Sequence, residues 1–125
     1  MALVGAPIEQ RRLIRFCAYY FIASTKVRGQ GKAGRLSSRE IGERLDLSRT
    51  TVRMDMCTMP GWTGRPGHAY FAYEVAERAM LYLETYVGSD DSAAVAIILT
   101  WKDERMARIA RNGLLLYNRD RLMVR

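Results

Sequence analysis

The run Ser48-Arg49-Thr50-Thr51-Val52-Arg53-Met54 sets two guanidinium groups four residues apart among short hydroxyl side chains. At helical spacing Arg49, Thr50 and Arg53 share one polar face, with Thr51 and Met54 beside it. Arginine pairs with a phosphate or with the two acceptors on a guanine edge, and Ser48, Thr50 and Thr51 are short enough to allow close approach. Two further basic sites flank this run. Lys32 and Arg35 lie in 26–35, which carries four positive charges and three glycines, and Ser37 follows; Arg65 stands between Gly64 and Pro66-Gly67, suited to a minor groove or a phosphate. Chemistry of other kinds finds little material. His68 is the only histidine and no serine, cysteine or carboxylate is spaced to work with it, so no catalytic site is expected. Cys17 and Cys57 have no CxxC spacing and no histidine ligands nearby, so neither a structural metal nor a disulfide framework is expected. Asp90-Asp91 reads as a loop and helix cap.

The elements that must carry these residues follow from periodicity. From Pro7 to about Ser24, Leu13, Phe16, Cys17, Tyr20 and Phe21 recur at helical spacing, with Arg11, Arg12 and Arg15 on other faces. The basic segment 26–35 is expected to be a loop that ends this helix. Ser37-Ser38-Arg39-Glu40 has the form of a capping box, predicting a helix that buries Ile41 and Leu45. After Asp46-Leu47, Ser48 caps a third helix to about Met59, with Val52, Met56 and Met59 inward. The prolines and glycines of 60–67 cannot continue a helix; Trp62 and Tyr70-Phe71 are expected to pair as short strands around a 64–67 tip. A helix over about 73–86 carries Val75, Ala76, Ala79, Met80 and Leu83 on its apolar stripe. The apolar run 93–99 fits a buried strand or a buried helix equally, 102–116 a helix with Met106, Ile109 and Ala110 on one face, and 117–120 a turn.

At 125 residues with 49% hydrophobic and 26% charged side chains, the chain has the composition of one globular domain with a short appendage and not of a disordered protein. Its net charge of +7 is carried entirely by residues 1–68, which hold 12 Lys/Arg against 5 Asp/Glu; residues 69–125 hold 8 of each. Such asymmetry implies a polyanionic partner, and charge alone leaves nucleic acid and an anionic membrane surface both open. No stretch is long and apolar enough for a membrane span and 1–10 lacks the order of a secretion signal, so a cytoplasmic protein is expected.

Arg12-Leu13-Ile14, then Ser37-Ser38, then Val52-Arg53-Met54-Asp55-Met56 followed by an aromatic- and glycine-containing segment, resembles the amino-terminal winged helix of the Rex family of redox-sensing repressors. That family carries approximately Arg-Lys-Asp-Leu and then Gly-x-Phe-Gly-x-Arg-Gly-x-Gly-Tyr. Arg53, Asp55, Trp62, Arg65 and Tyr70 fall at matching or nearly matching places; Met54 stands where the family has lysine, and Pro60, Thr63, Pro66 and His68 also depart from it. The resemblance, over about 7–86, implies a dimer that reads a palindromic operator through the third helix, with Arg65 entering the minor groove. Rex-like proteins also carry a dinucleotide-binding domain, whose first strand would fall near 95–99. Here Thr100-Trp101-Lys102-Asp103-Glu104-Arg105 has no glycine where pyrophosphate needs close backbone approach, so no NAD(H) cofactor is expected.

The expectation is therefore a mainly α protein with a small β-hairpin: a winged helix-turn-helix over 1–87 and a C-terminal element over 88–125, for dimerisation or as a truncated Rossmann-like remnant. The expected activity is that of a DNA-binding repressor, with double-stranded DNA and a second copy as partners. The DNA-binding residues expected are Lys32, Arg35, Ser37, Ser48, Arg49, Thr50, Thr51, Arg53, Met54, Gly64 and Arg65. A winged-helix protein–protein adaptor, a nonspecific DNA-associated protein and a nicotinamide-responsive sensor remain as alternatives.

Overall fold

A computed structural model of the chain describes residues 7–59, 69–88 and 90–123. In order, α1 (Pro7–Gln30) leads through a 3₁₀ turn (Gly31–Ala33) to β1 (Arg35–Leu36), α2 (Ser38–Leu45) and α3 (Arg49–Thr58). After the segment 60–68 come β2 (Tyr70–Phe71), α4 (Ala72–Tyr86), α5 (Ser92–Leu99) and α6 (Glu104–Met123). The described residues are mainly helical, with one two-stranded antiparallel sheet in which Arg35 faces Phe71 and Leu36 faces Tyr70.

Helix α1 organises the rest because it is apolar on nearly every side. Leu13, Ile14, Phe16, Cys17, Ala18, Tyr19, Tyr20, Ile22 and Ala23 are all buried, and consecutive buried positions cover the whole circumference of a helix rather than a stripe. Such a helix must be surrounded. Helix α4 packs on it through the rings of Phe16 and Tyr82, 4.2 Å apart, and through Tyr82 Oη donating to Glu9 at 3.2 Å. Helix α6 lies against another side of α1. Gly113 makes that approach possible, since a Cβ there would sit 1.8 Å from the Cys17 carbonyl oxygen. At the far end Tyr20 donates to Asp120 at 2.6 Å, and Tyr20 and Tyr117 meet edge to face. Met106, Ala110, Leu114 and Tyr117 of α6 belong to the same buried cluster as Leu36, Ile41, Val52 and Val75.

Both expected serine caps are present. Ser37 Oγ accepts from the Glu40 N–H at 2.9 Å, and Ser48 Oγ from the Thr51 N–H at 3.1 Å. Ile41, Leu45, Val52, Met56 and Met59 are buried as their spacing required. The turn between α2 and α3 is tight: Asp46 is left-handed at φ 55, and a Cβ on Gly42 would come within 2.5 Å of the Leu47 carbonyl oxygen.

The ends of two helices change, and two further points are filled in. The first helix does not end near Ser24 but continues to Gln30, because Val27 still packs on the core and the backbone departs from helical geometry only at Gln30, φ −126, and Gly31, φ +65. The basic segment expected as a loop is therefore helical over its first half. Residues 117–120 are not a turn: α6 runs through them to Met123, held by the fully buried Tyr117 and by Asp120 accepting from Tyr20. Tyr70-Phe71 pairs with Arg35-Leu36, a strand too short to show in the pattern, while the expected partner Trp62 and the 64–67 tip lie outside the described residues. Of the two forms open to 93–99, the helix is found, although only Ala94 and Ile98 of α5 are buried. Among the described residues no helix is long and apolar enough to cross a membrane.

Candidate nucleic-acid interface

Helix α3 has two faces of opposite character. Arg49, Thr50, Arg53 and Met54 are exposed and Thr51 is half-buried, while Val52, Asp55 and Met56 face inward. Ser48 caps the helix and its hydroxyl also lies 2.9 Å from Thr51 Oγ1, so the first turn is fixed by two local bonds. Arg49 and Arg53 have no ion-pair partner among the described residues, which leaves both guanidinium groups available to an external anion.

What holds this face in place is a buried ionic group that patterning did not anticipate. Asp55, at a core position of α3, takes both arms of the Arg15 guanidinium, Nε to Oδ2 at 2.6 Å and Nη2 to Oδ1 at 2.8 Å. Tyr19 Oη donates to the same Oδ2. Two positions on α1 thus clamp one carboxylate of α3, in a bidentate geometry that fixes orientation as well as distance. Burial works to lower the Arg15 pKa, but the hydrogen bonds and charge of Asp55 outweigh it and the pKa is raised. Burial, then the charge and hydrogen bond of Asp55, push the Tyr19 phenol up. The signal was present in the sequence: Asp55 falls between Val52, Met56 and Met59 on the inward face, where a carboxylate demands a buried partner. Only the fold could name Arg15, 40 positions earlier.

The sheet lies beside this helix. Tyr70 on β2 is within electrostatic reach of Cys57 and Arg53; its pKa is raised, mainly by burial, with Arg53 and a hydrogen bond involving Ser38 opposing. Across the strand pair the Arg35 guanidinium lies 3.8 Å over the Phe71 ring, and Lys32 Nζ lies 5.4 Å from the Tyr73 ring centre. Both cations are exposed, and each rests on an aromatic face that positions it without neutralising it. The fold thus groups the expected residues in two sets, Ser48 to Met54 on α3 and Lys32 with Arg35 against β2 and the start of α4. Ser37 differs, being half-buried with its hydroxyl committed to capping α2. Gly64 and Arg65 lie outside the described residues.

Cys57, one turn beyond Arg53, is exposed, whereas Cys17 is fully buried in α1 and its thiol is pushed up to about 12 by that burial. No group of three or more metal-ligating side chains occurs among the described residues. No known family model matches the chain, and no characterised protein or solved structure matches it either.

Proposed function

We propose that this chain is a DNA-binding regulator of the winged helix-turn-helix type that acts as a dimeric repressor at a palindromic operator. The observation that carries the reading is the exposed Arg49–Thr50–Arg53 face of α3, held rigid from behind by the Arg15–Asp55–Tyr19 clamp. A helix that enters a major groove needs a polar, cationic outer face and a fixed pose, because base-edge hydrogen bonds tolerate little error in orientation. The order helix, strand, helix, tight turn, helix, strand also suits a winged helix, and Gly64 and Arg65 stay in the reading on the sequence alone. Arg49 and Arg53 then contact bases or phosphates, Ser48, Thr50, Thr51 and Met54 pack against the groove, and Lys32 and Arg35 bind flanking phosphates. Ser37 acts indirectly, through the start of α2. Catalysis and a cofactor have no part in this function.

The test is binding to a pool of random duplex DNA across a salt series, with the retained DNA sequenced. An enriched palindrome with steep salt dependence supports the proposal. Salt-independent binding, or none, favours a protein–protein adaptor on the same scaffold.

A further inference from the structure

Thr50, Arg53, Met54 and Cys57 of α3 follow the i, i+3, i+4, i+7 spacing of one stripe, and all four are exposed. The stripe lies opposite the inward face of Val52, Asp55 and Met56. It sets one cation, Arg53, among a hydroxyl, a thioether and a thiol, and Met54, 65% exposed, is its large apolar side chain. A single exposed methionine is ordinary on a protein surface, so its neighbours decide what it means. The other large apolar side chains exposed among the described residues, Leu81, Val95, Leu99, Leu115 and Leu122, all lie on α4, α5 and α6. Met54 instead shares its helix face with Arg49 and Arg53, neither of which has an ion-pair partner among the described residues.

The charge on this face is of one sign. From Leu47 to Tyr73 the single acidic residue is Asp55, and it is turned inward and held by Arg15 and Tyr19. The carboxylates that come before it are Asp46, in the turn ahead of the Ser48 cap, and Glu43, which pairs with Arg39; the next one along the chain, Glu74, pairs with Arg78. An apolar group on such a face points at the ligand that the two arginines attract. Phosphates offer Met54 nothing to pack on. On the major-groove edges of the base pairs the groups are hydrogen-bond donors and acceptors with one exception, the 5-methyl group of thymine. An unbranched thioether chain adapts its shape to a small apolar group of that kind.

We propose that Met54 selects thymine, packing its thioether against the 5-methyl group of one thymine in the major groove and so setting the sequence preference of α3 at that base pair. Thr50 and Cys57, its neighbours on the stripe, are small and leave the methionine as the apolar group that reaches furthest from the helix. Met54 carries no charge, so it adds nothing to the salt dependence of binding and acts only on which sequence is chosen. This rests on the DNA-binding reading and names the base feature that the helix selects.

The probe is a random-sequence duplex pool made twice, once with thymidine and once with deoxyuridine, whose base lacks only the 5-methyl group. The wild-type chain enriches a thymine at one position from the first pool and has no preference for uracil there from the second, while its other enriched positions are kept. Met54→Ala, at an exposed position, leaves circular dichroism, melting and the salt slope unchanged and shows no preference at that position from either pool. On the recovered duplex, uracil in place of that thymine raises Kd about fourfold for the wild type, the effect of one buried methyl group, and leaves Met54→Ala unaffected. If no enriched thymine is lost both on removal of the methyl group and in Met54→Ala, the proposal is overturned while the regulator reading stands. Absence of salt-sensitive duplex binding, or binding that enriches no sequence, overturns both.

Discussion

Replacing Asp55 by asparagine removes one charge and almost no volume, so its effect isolates the clamp behind α3. The carboxylate accepts three hydrogen bonds, two from Arg15 and one from Tyr19, and its side chain is only 6% exposed. An amide has one oxygen to offer these donors, and its NH₂ faces a donor wherever it points. Breaking a buried ion pair by removing one partner costs about 3–5 kcal/mol, because the remaining charge stays desolvated. The Arg15 side chain, 20% exposed, recovers part of its hydration, which places Asp55→Asn at about 3 kcal/mol. Measured as urea unfolding followed by circular dichroism, that loss lowers the midpoint by about 1–3 M with an unchanged slope. Since apolar groups of similar size satisfy one another, the triple variant Arg15→Met, Tyr19→Phe, Asp55→Leu regains more than half of the loss. A cost for Asp55→Asn below about 1 kcal/mol, the range of an ordinary surface pair, would refute the clamp.

Gly113→Ala drives a methyl group into the Cys17 carbonyl and separates α6 from α1, so thermal melting shows a loss above about 3 kcal/mol or no cooperative fold; Gly29→Ala in α1, with open space around it, is neutral to stabilising by up to about 1 kcal/mol. In alkali the buried neutral forms of Cys17, Tyr19, Tyr20 and Tyr82, all with raised pKa values, lose protons more readily when unfolded. Their stabilisation is complete below pH 9 and falls above it, each group adding up to about 1.4 kcal/mol per pH unit, as denaturant midpoints from pH 8 to 11 will show. A thiol reagent modifies Cys57 in the folded protein and Cys17 only after unfolding; a bulky maleimide on Cys57, one turn from Arg53, weakens duplex binding at least tenfold without shifting the melting temperature.

The parts of this fold that follow local rules were legible in the sequence. Ser37 and Ser48 announce the starts of α2 and α3, and Ile41, Leu45, Val52 and Met56 announce their inner faces, because caps and helical periods are written within a few residues. The ends of α1 and α6 were not. Arg28 and Gly29 look like loop residues until Val27 is seen against the core, and 117–120 look like a turn until Tyr117 is seen buried beside Tyr20. Strand β1 is only two residues long, and its pairing with Tyr70-Phe71 is a contact across 34 positions that no local pattern encodes. The polar face of α3 was read directly from Arg49, Thr50 and Arg53, whereas the clamp behind it needs α1 and α3 side by side.

The outer face of α3 is proposed to bind duplex DNA, and fluorescence anisotropy with a labelled duplex across a salt series measures that binding. If Lys32, Arg35, Arg49 and Arg53 each neutralise a phosphate, log K falls against log salt with a slope of about −3 to −4 per protomer, and Arg49→Ala with Arg53→Ala reduces it by about 2 while the protein remains folded. A double variant that keeps the wild-type affinity and slope would contradict the account.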